Sequence, residues 1–226
     1  MADVVTPAPR PSVPVLGGGT FPVRRIYCIG RNYADHVREM GGDPKAQPPV
    51  FFTKPADAVV PGGGDIPYPL ATENLHYEAE LVLALCSDGA RVSVEGAENL
   101  IFGYAVGCDL TRRDRQKEAK DAGAPWDVAK AFDNSAPIGP ITPKSAVDLS
   151  GARIRLAVNG ETRQDAPLAD MIWSPAEIIA ALSERFALKA GDLVFTGTPE
   201  GVGPLAVGDT VLIRVDGLED LSFAIT

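Results

Sequence analysis

A chain of 226 residues with 21 Lys and Arg against 30 Asp and Glu, a formal net charge of −9, lacks the basic footprint of a nucleic-acid binder. Hydrophobic residues make up 45% and charged residues 23%, which fits a soluble domain with its own core, and no run of roughly 18 apolar residues offers a membrane span. The three cysteines, Cys28, Cys86 and Cys108, form no C-x-x-C pair and suggest neither a disulfide framework nor a thiolate zinc site.

In chain order, the opening MADVVTPAPRPSVPV carries Pro7, Pro9, Pro11 and Pro14 and lacks the basic start and apolar core of a signal peptide. We expect residues 1–20 to be a proline-rich arm and 21–226 a single domain of a cytoplasmic protein. Strands are predicted over 24–30, 50–55, 80–85, 101–110, 153–160, 192–197 and 209–217, β-rich runs punctuated by 23 Gly and 20 Pro. Helices are expected after Asn32, after Thr111 as far as Gly123, and from Ser174. Thr111 reads as an N-cap with Asp114 at the third helical position. Ser174-Pro-Ala-Glu177 reads as a capping box with Pro175 at the first position. Ile178, Ile179, Leu182 and Phe186 share one stripe of that last helix, which would lie on the β core. Many strands and few short helices indicate an α+β class.

The segment HYEAELVLAL poses the chemical question. In a strand, Glu78, Glu80, Val82 and Ala84 share one face, and Tyr77, Ala79, Leu81, Leu83 and Leu85 the other. Two carboxylates on a buried face repel unless one takes a proton or a cation lies between them; on an exposed face they would simply be solvated. GYAVGCDLTRRDRQ supplies a third acid, Asp109, at a strand end. Three carboxylates make an all-oxygen set that suits Mg²⁺, Mn²⁺ or Ca²⁺. Arg113 and Gln116, three apart on the following helix, can donate to an oxyanion or form a solvated face.

In GRNYADHVREMGG, His36 falls three residues before Glu39. At helical spacing Glu39 can fix the imidazole tautomer and raise its basicity, so that His36 takes a proton from water; a surface His–Glu pair is the alternative. Lys130, amid small and apolar residues in WDVAKAFDNSAPIGP, can neutralise a developing negative charge or serve as a salt-bridge partner. The Thr196-Gly197-Thr198-Pro199 loop lets backbone approach a ligand closely. It is no P-loop, and nucleotide binding is not indicated.

YCIGRNYADHVREMG, HYEAELVLAL, GYAVGCDLTRRDRQ, PWDVAKAFDNSAPIGP and GDLVFTGTPEGVGPL, in this order, resemble the fumarylacetoacetate hydrolase family, and within it the acylpyruvase and fumarylpyruvate hydrolase type. The resemblance runs from about residue 21 to 226. It implies a β-rich mixed roll, usually a homodimer, with Mg²⁺ or Mn²⁺ held by Glu78, Glu80 and Asp109. It implies a His36–Glu39 dyad on a lid helix, oxyanion contacts from Arg113, Gln116 and Lys130, and Thr198 beside the substrate carboxylate; Arg31 and Lys54 are further candidate contacts. The implied reaction is hydrolysis of the C3–C4 bond of a 2,4-dioxo acid, with fumarylpyruvate from gentisate breakdown as the expected substrate. Oxaloacetate decarboxylation and dioxo-acid isomerisation are the alternatives within the family, and a catalytically silent metal- or carboxylate-binding protein the alternative outside it.

Overall fold

A computed structural model of the chain describes residues 4–34 and 49–226. An eight-stranded sheet forms its centre. Its strands run in the order Val50–Lys54, Arg25–Gly30, Asp192–Phe195, Ala79–Leu85, Ile101–Cys108, Ala136–Ile138 and Val59–Pro61, with Thr142–Pro143 also paired to Ile101–Cys108. A five-stranded sheet runs Glu161–Pro167, Arg153–Val158, Thr210–Val215, Leu221–Ile225, Gly64–Ile66. A three-stranded sheet joins Thr111–Arg112, Leu75–Tyr77 and Gly203–Leu205. This is the β-rich α+β architecture expected from the sequence.

Burial follows side-chain alternation. In Arg153–Val158, Ile154, Leu156 and Val158 point inward while Arg153, Arg155 and Ala157 are only half-buried, as on a sheet with one face packed. Ala79–Leu85 is buried at every position, because its sheet packs on both sides. Leu81, Leu83 and Leu85 join a core shared with the five-stranded sheet and the helix Pro175–Ser183. Val82 and Ala84 join a second core with Val13, Ile26, Cys28 and Phe195. The face carrying Glu80 is therefore interior, and the solvated-strand alternative fails.

The expected 20/21 boundary falls inside a strand, Thr20–Pro22, which pairs with Ser12–Pro14, and Val13 is fully buried in the second core. The capping box is present. Ser174 accepts from the Glu177 N–H while the Glu177 carboxylate accepts from the Ser174 N–H at 2.8 Å. The helix Arg113–Ala122 ends at Gly123 in the left-handed conformation. Its start differs from expectation: Arg112 precedes the helix without a side-chain cap, and Thr111 is extended, paired with His76. Asp114 anchors the first turn from outside by accepting from Thr72 Oγ1 at 2.6 Å and the Glu73 N–H at 3.1 Å. Asn32 does not have its side chain free for capping. Its amide donates to the carbonyls of Trp173 and Thr196, and its oxygen accepts from the Trp173 N–H at 2.7 Å. Among the described residues no helix is long and apolar enough to cross a membrane.

Candidate metal centre

Two strands leave the large sheet side by side and enter the small one together. Ala79–Leu85 belongs to the eight-stranded sheet and Leu75–Tyr77 to the three-stranded sheet, so Glu78 occupies the corner between them. Ile101–Cys108 and Thr111–Arg112 make the same passage, with Asp109 at their corner. The two corners are tied by the Asp109 N–H donating to the Glu78 carbonyl at 2.8 Å. Glu80 lies one alternation further along. Ligand oxygens of Glu78, Glu80 and Asp109 thereby fall within 4.8 Å of one another, all three residues buried.

Cations answer two of these acids. Lys130 Nζ donates to Glu78 at 2.7 Å, to Asp109 at 2.6 Å and to Thr111 Oγ1 at 2.6 Å. Arg113 Nη2 pairs with Glu78 at 2.5 Å, and Lys54 Nζ with Asp109 Oδ1 at 2.8 Å. Burial opposes the charge on Lys130, but Asp109 and Glu78 outweigh it and hold its pKa above the ordinary value. Glu80 is different. It accepts the Gly197 N–H at 2.7 Å, and among the described residues no cation lies within ion-pair distance of it. Burial first, then Asp109 and Glu78, push its pKa well above the ordinary carboxylate range. A third buried carboxylate without a counter-ion, beside two that have theirs, is the electrostatic outline of a hard dication. Among the described residues the donor set is all carboxylate oxygen, which fits Mg²⁺ or Mn²⁺ and differs from the thiolate and imidazole sites that zinc prefers.

The surrounding groups are set by hydrogen bonds. Arg113 Nη1 donates to Gln116 Oε1 at 2.6 Å, which turns the Gln116 amide nitrogen toward the remaining space. Arg113, expected to face a ligand oxyanion, spends one bond from each terminal nitrogen on Glu78 and Gln116, while its Nε–H is buried without a hydrogen-bond partner among the described residues. Thr198 is buried and accepts from Gln164 Nε2 at 2.9 Å, leaving its own hydroxyl hydrogen to donate. Gly197 needs to be glycine. Its φ is +96°, and a Cβ would stand 2.7 Å from the Asn32 Cβ.

Several contributors escaped the sequence reading. Thr111 is a site residue and not a helix cap. Lys54, singled out only for its charge, is fully buried on Asp109; its place after Phe52 on the same strand face was the available signal. Gln164, buried in the middle of a strand, accepts from the Ala79 N–H at 3.0 Å and donates to Thr198 and the Pro199 carbonyl. It thus ties the backbone between Glu78 and Glu80 to the Thr-Gly-Thr loop, and nothing local in the sequence marks it. His76 has its pKa lowered to about 4, by burial and then by Arg113. Its Nε2 contacts Asn74, and it stands outside the acidic cluster. Cys28 and Cys108 are buried, with their thiol pKa values raised chiefly by burial, as expected of inert core thiols. His36 and Glu39 lie outside the described residues.

A β-rich domain that gathers three buried carboxylates, two lysines, an arginine and a glutamine at one sheet corner has the makings of a metal-assisted enzyme for oxo-acids. The model of the fumarylacetoacetate (FAA) hydrolase C-terminal family matches residues 25–226, and the chain belongs to that family. It is 43% identical over 183 residues to a fumarylpyruvate hydrolase of a Ralstonia species, covering 81% of this chain and 95% of that protein. It is 42% identical over 203 residues to an oxaloacetate tautomerase of Escherichia coli, covering 87% and 90%. The crystal structure of fumarylpyruvate hydrolase from Pseudomonas aeruginosa in complex with Mn²⁺ and pyruvate superimposes with a TM-score of 0.97 at 50% identity, covering 100% of this chain and 99% of that one.

Proposed function

We propose that this protein is a metal-dependent hydrolase that cleaves the C3–C4 bond of a 2,4-dioxo acid, fumarylpyruvate in particular, to pyruvate and a carboxylic acid. The observation that carries the reading is Glu80, a buried acid with no cation partner among the described residues, adjoining two that are already paired. Similarity to fumarylpyruvate hydrolases, one solved with Mn²⁺ and pyruvate, supports the substrate class. A homodimer in the cytoplasm, acting in aromatic breakdown through gentisate, completes the proposal on the strength of the family resemblance.

Glu78, Glu80 and Asp109 would hold the ion, Mg²⁺ or Mn²⁺, which supplies Lewis-acid polarisation of the 2-oxo acid and makes an enolate of pyruvate a tolerable leaving group. Thr198 donates its hydroxyl hydrogen to the substrate carboxylate. His36, held by Glu39, accepts the proton of the attacking water at an imidazole nitrogen. Gln116 Nε2, oriented by Arg113, donates to the oxygen that becomes negative at C4, and the Lys130 ammonium lies beside Glu78 to offset the same charge. Lys54 and Thr111 keep Asp109 and Lys130 in register.

The deciding experiment supplies purified protein and Mn²⁺ with fumarylpyruvate, acetylpyruvate and oxaloacetate and follows pyruvate release and enol absorbance separately. Stoichiometric pyruvate and fumarate support the hydrolase. Enol–keto conversion of oxaloacetate with no cleavage of either acylpyruvate would move the activity to that of the tautomerase relatives. In the same assay His36→Ala lowers the cleavage rate by roughly 10²- to 10⁴-fold while Mn²⁺ affinity is retained; undiminished cleavage removes His36 from the reaction.

Metal binding also has a thermal signature. The raised pKa of Glu80 means that the unfolded chain releases this proton more readily than the native one, so the metal-free protein loses stability as pH rises from the ordinary carboxylate range through the raised value. A dication bound to ionised Glu80 offsets that loss. At 100 times its dissociation constant it contributes about 2.7 kcal/mol, a Tm gain of about 5–10 °C for a chain of this size. The gain is expected to grow in differential scanning fluorimetry as pH rises above the ordinary carboxylate range, and a gain that is flat with pH speaks against Glu80 as a ligand.

A further inference from the structure

The helix that carries Arg113 and Gln116 continues for one more turn on the same side. Lys120 is four residues beyond Gln116 and seven beyond Arg113, so it follows them on one face, about 6 Å further along the axis from Gln116. Its ammonium rests over Trp126, 5.4 Å from the ring centroid. Trp126 in turn packs on Phe52 with centroids 5.8 Å apart, and the Lys130 ammonium lies 4.9 Å from the centroid of Phe52. Phe52, Trp126 and Lys130 line one cavity of about 450 Å³, together with Asp127 and Phe186. The aromatic pair thus forms a wall with the Lys130 cation at one end and Lys120 at the other.

Lys120 is the cation in this row that lacks an acid. Lys130 and Arg113 both pair with Glu78, and among the described residues no carboxylate is within ion-pair distance of Lys120, Asp127 included. Burial pulls its pKa below the ordinary value, with repulsion from Arg113, Arg31 and Lys130 adding to the effect. The residue is exposed to solvent, and its ammonium, held over an aromatic ring and repelled by its neighbours, is stabilised by any anion that reaches it.

We propose that Lys120 on Trp126 is the subsite for a second carboxylate at the far end of the substrate. The proposal rests on the 2-oxo-acid reading of the metal centre and adds the recognition of the acyl tail. With the oxo-acid end at the acidic cluster and the C4 oxygen at Gln116, a fumaryl group carries its terminal carboxylate three bonds beyond C4, in the direction of Lys120. Acetylpyruvate ends in a methyl group and has nothing to offer there. Oxaloacetate carries its second carboxylate at C4 itself, a helical turn short.

The test is a binding ratio that needs no turnover. Mn²⁺-loaded protein is titrated by calorimetry with 2-oxoheptanedioate and with 2-oxoheptanoate, which share one chain length and differ in the terminal carboxylate. Wild type should prefer the diacid by roughly tenfold. In Lys120→Met, which keeps a long apolar stem against Trp126, the ratio should fall to near one, and Lys120→Arg should keep most of the preference. A wild-type ratio near one, or a preference that survives in Lys120→Met, overturns the proposal. If wild type shows the preference and Lys120→Met loses it, yet no acylpyruvate is cleaved, the hydrolase reading falls and the subsite stands.

Discussion

Replacing Glu80 with glutamine raises the Mn²⁺ concentration needed for half-maximal activity by roughly 100-fold or more and, in the same protein, raises the Tm measured without metal. The two effects share one cause. Glutamine has the shape of glutamate and can still accept the Gly197 N–H through its oxygen, so the Thr-Gly-Thr loop keeps its anchor. What disappears is a negative charge that burial, Asp109 and Glu78 already disfavour. Removing it relieves the desolvation and repulsion of the metal-free state. It also takes one anion from a set of three and weakens the hold on a dication by more than the 10- to 100-fold typical of an outer-shell change. A purely structural Glu80 predicts another pattern: a lower Tm and an unchanged metal requirement in atomic absorption and activity titrations. Either of those findings would remove Glu80 from the proposed coordination.

The parts of this site that the sequence discloses are those in which the geometry is local. Glu78 and Glu80 are two apart, and strand alternation alone puts them on one face. Whether that face is interior or solvated was left open by the sequence; Leu81, Leu83 and Leu85 pack on one side and Val82 and Ala84 on the other, so both faces are interior. Ser174 and Glu177 are three apart, and their capping box is complete. Short edge elements such as Ser12–Pro14, Val59–Pro61 and Gly64–Ile66 carry too few residues to show a period, so the strand reading passed them over. Thr111 reads as a cap by local chemistry, yet pairing with His76 keeps it extended and gives its hydroxyl to Lys130. Lys54, Lys130 and Gln164 are 24, 21 and 55 residues from the nearest acid of the cluster in the chain. Such long-range partnerships leave little local trace; for Lys130 the small and apolar surroundings suggested a buried ammonium, and the family resemblance supplied its oxyanion role.

Lys130→Met separates the two roles that a buried lysine can have beside carboxylates. The ammonium donates to Glu78, Asp109 and Thr111 at 2.6–2.7 Å and is almost fully buried. Removing one partner of a buried pair costs roughly 3–5 kcal/mol, because the acids left behind stay buried with less compensation. For a chain of this length that lowers the metal-free Tm by roughly 6–20 °C. Glu78 keeps Arg113 and Asp109 keeps Lys54, so the fold has remaining counter-ions, and saturating Mn²⁺ should restore part of the lost Tm. Activity is the discriminating readout. If the ammonium also offsets the charge that develops at C4, kcat at saturating Mn²⁺ stays down by roughly 10²- to 10³-fold after the Tm has recovered. If Lys130 is a counter-ion alone, the metal restores both together, and a kcat within tenfold of wild type in the metal-saturated variant eliminates it as an oxyanion contact. Lys130→Gln, which keeps one hydrogen-bond donor near Thr111, repeats the comparison in a variant less prone to unfolding.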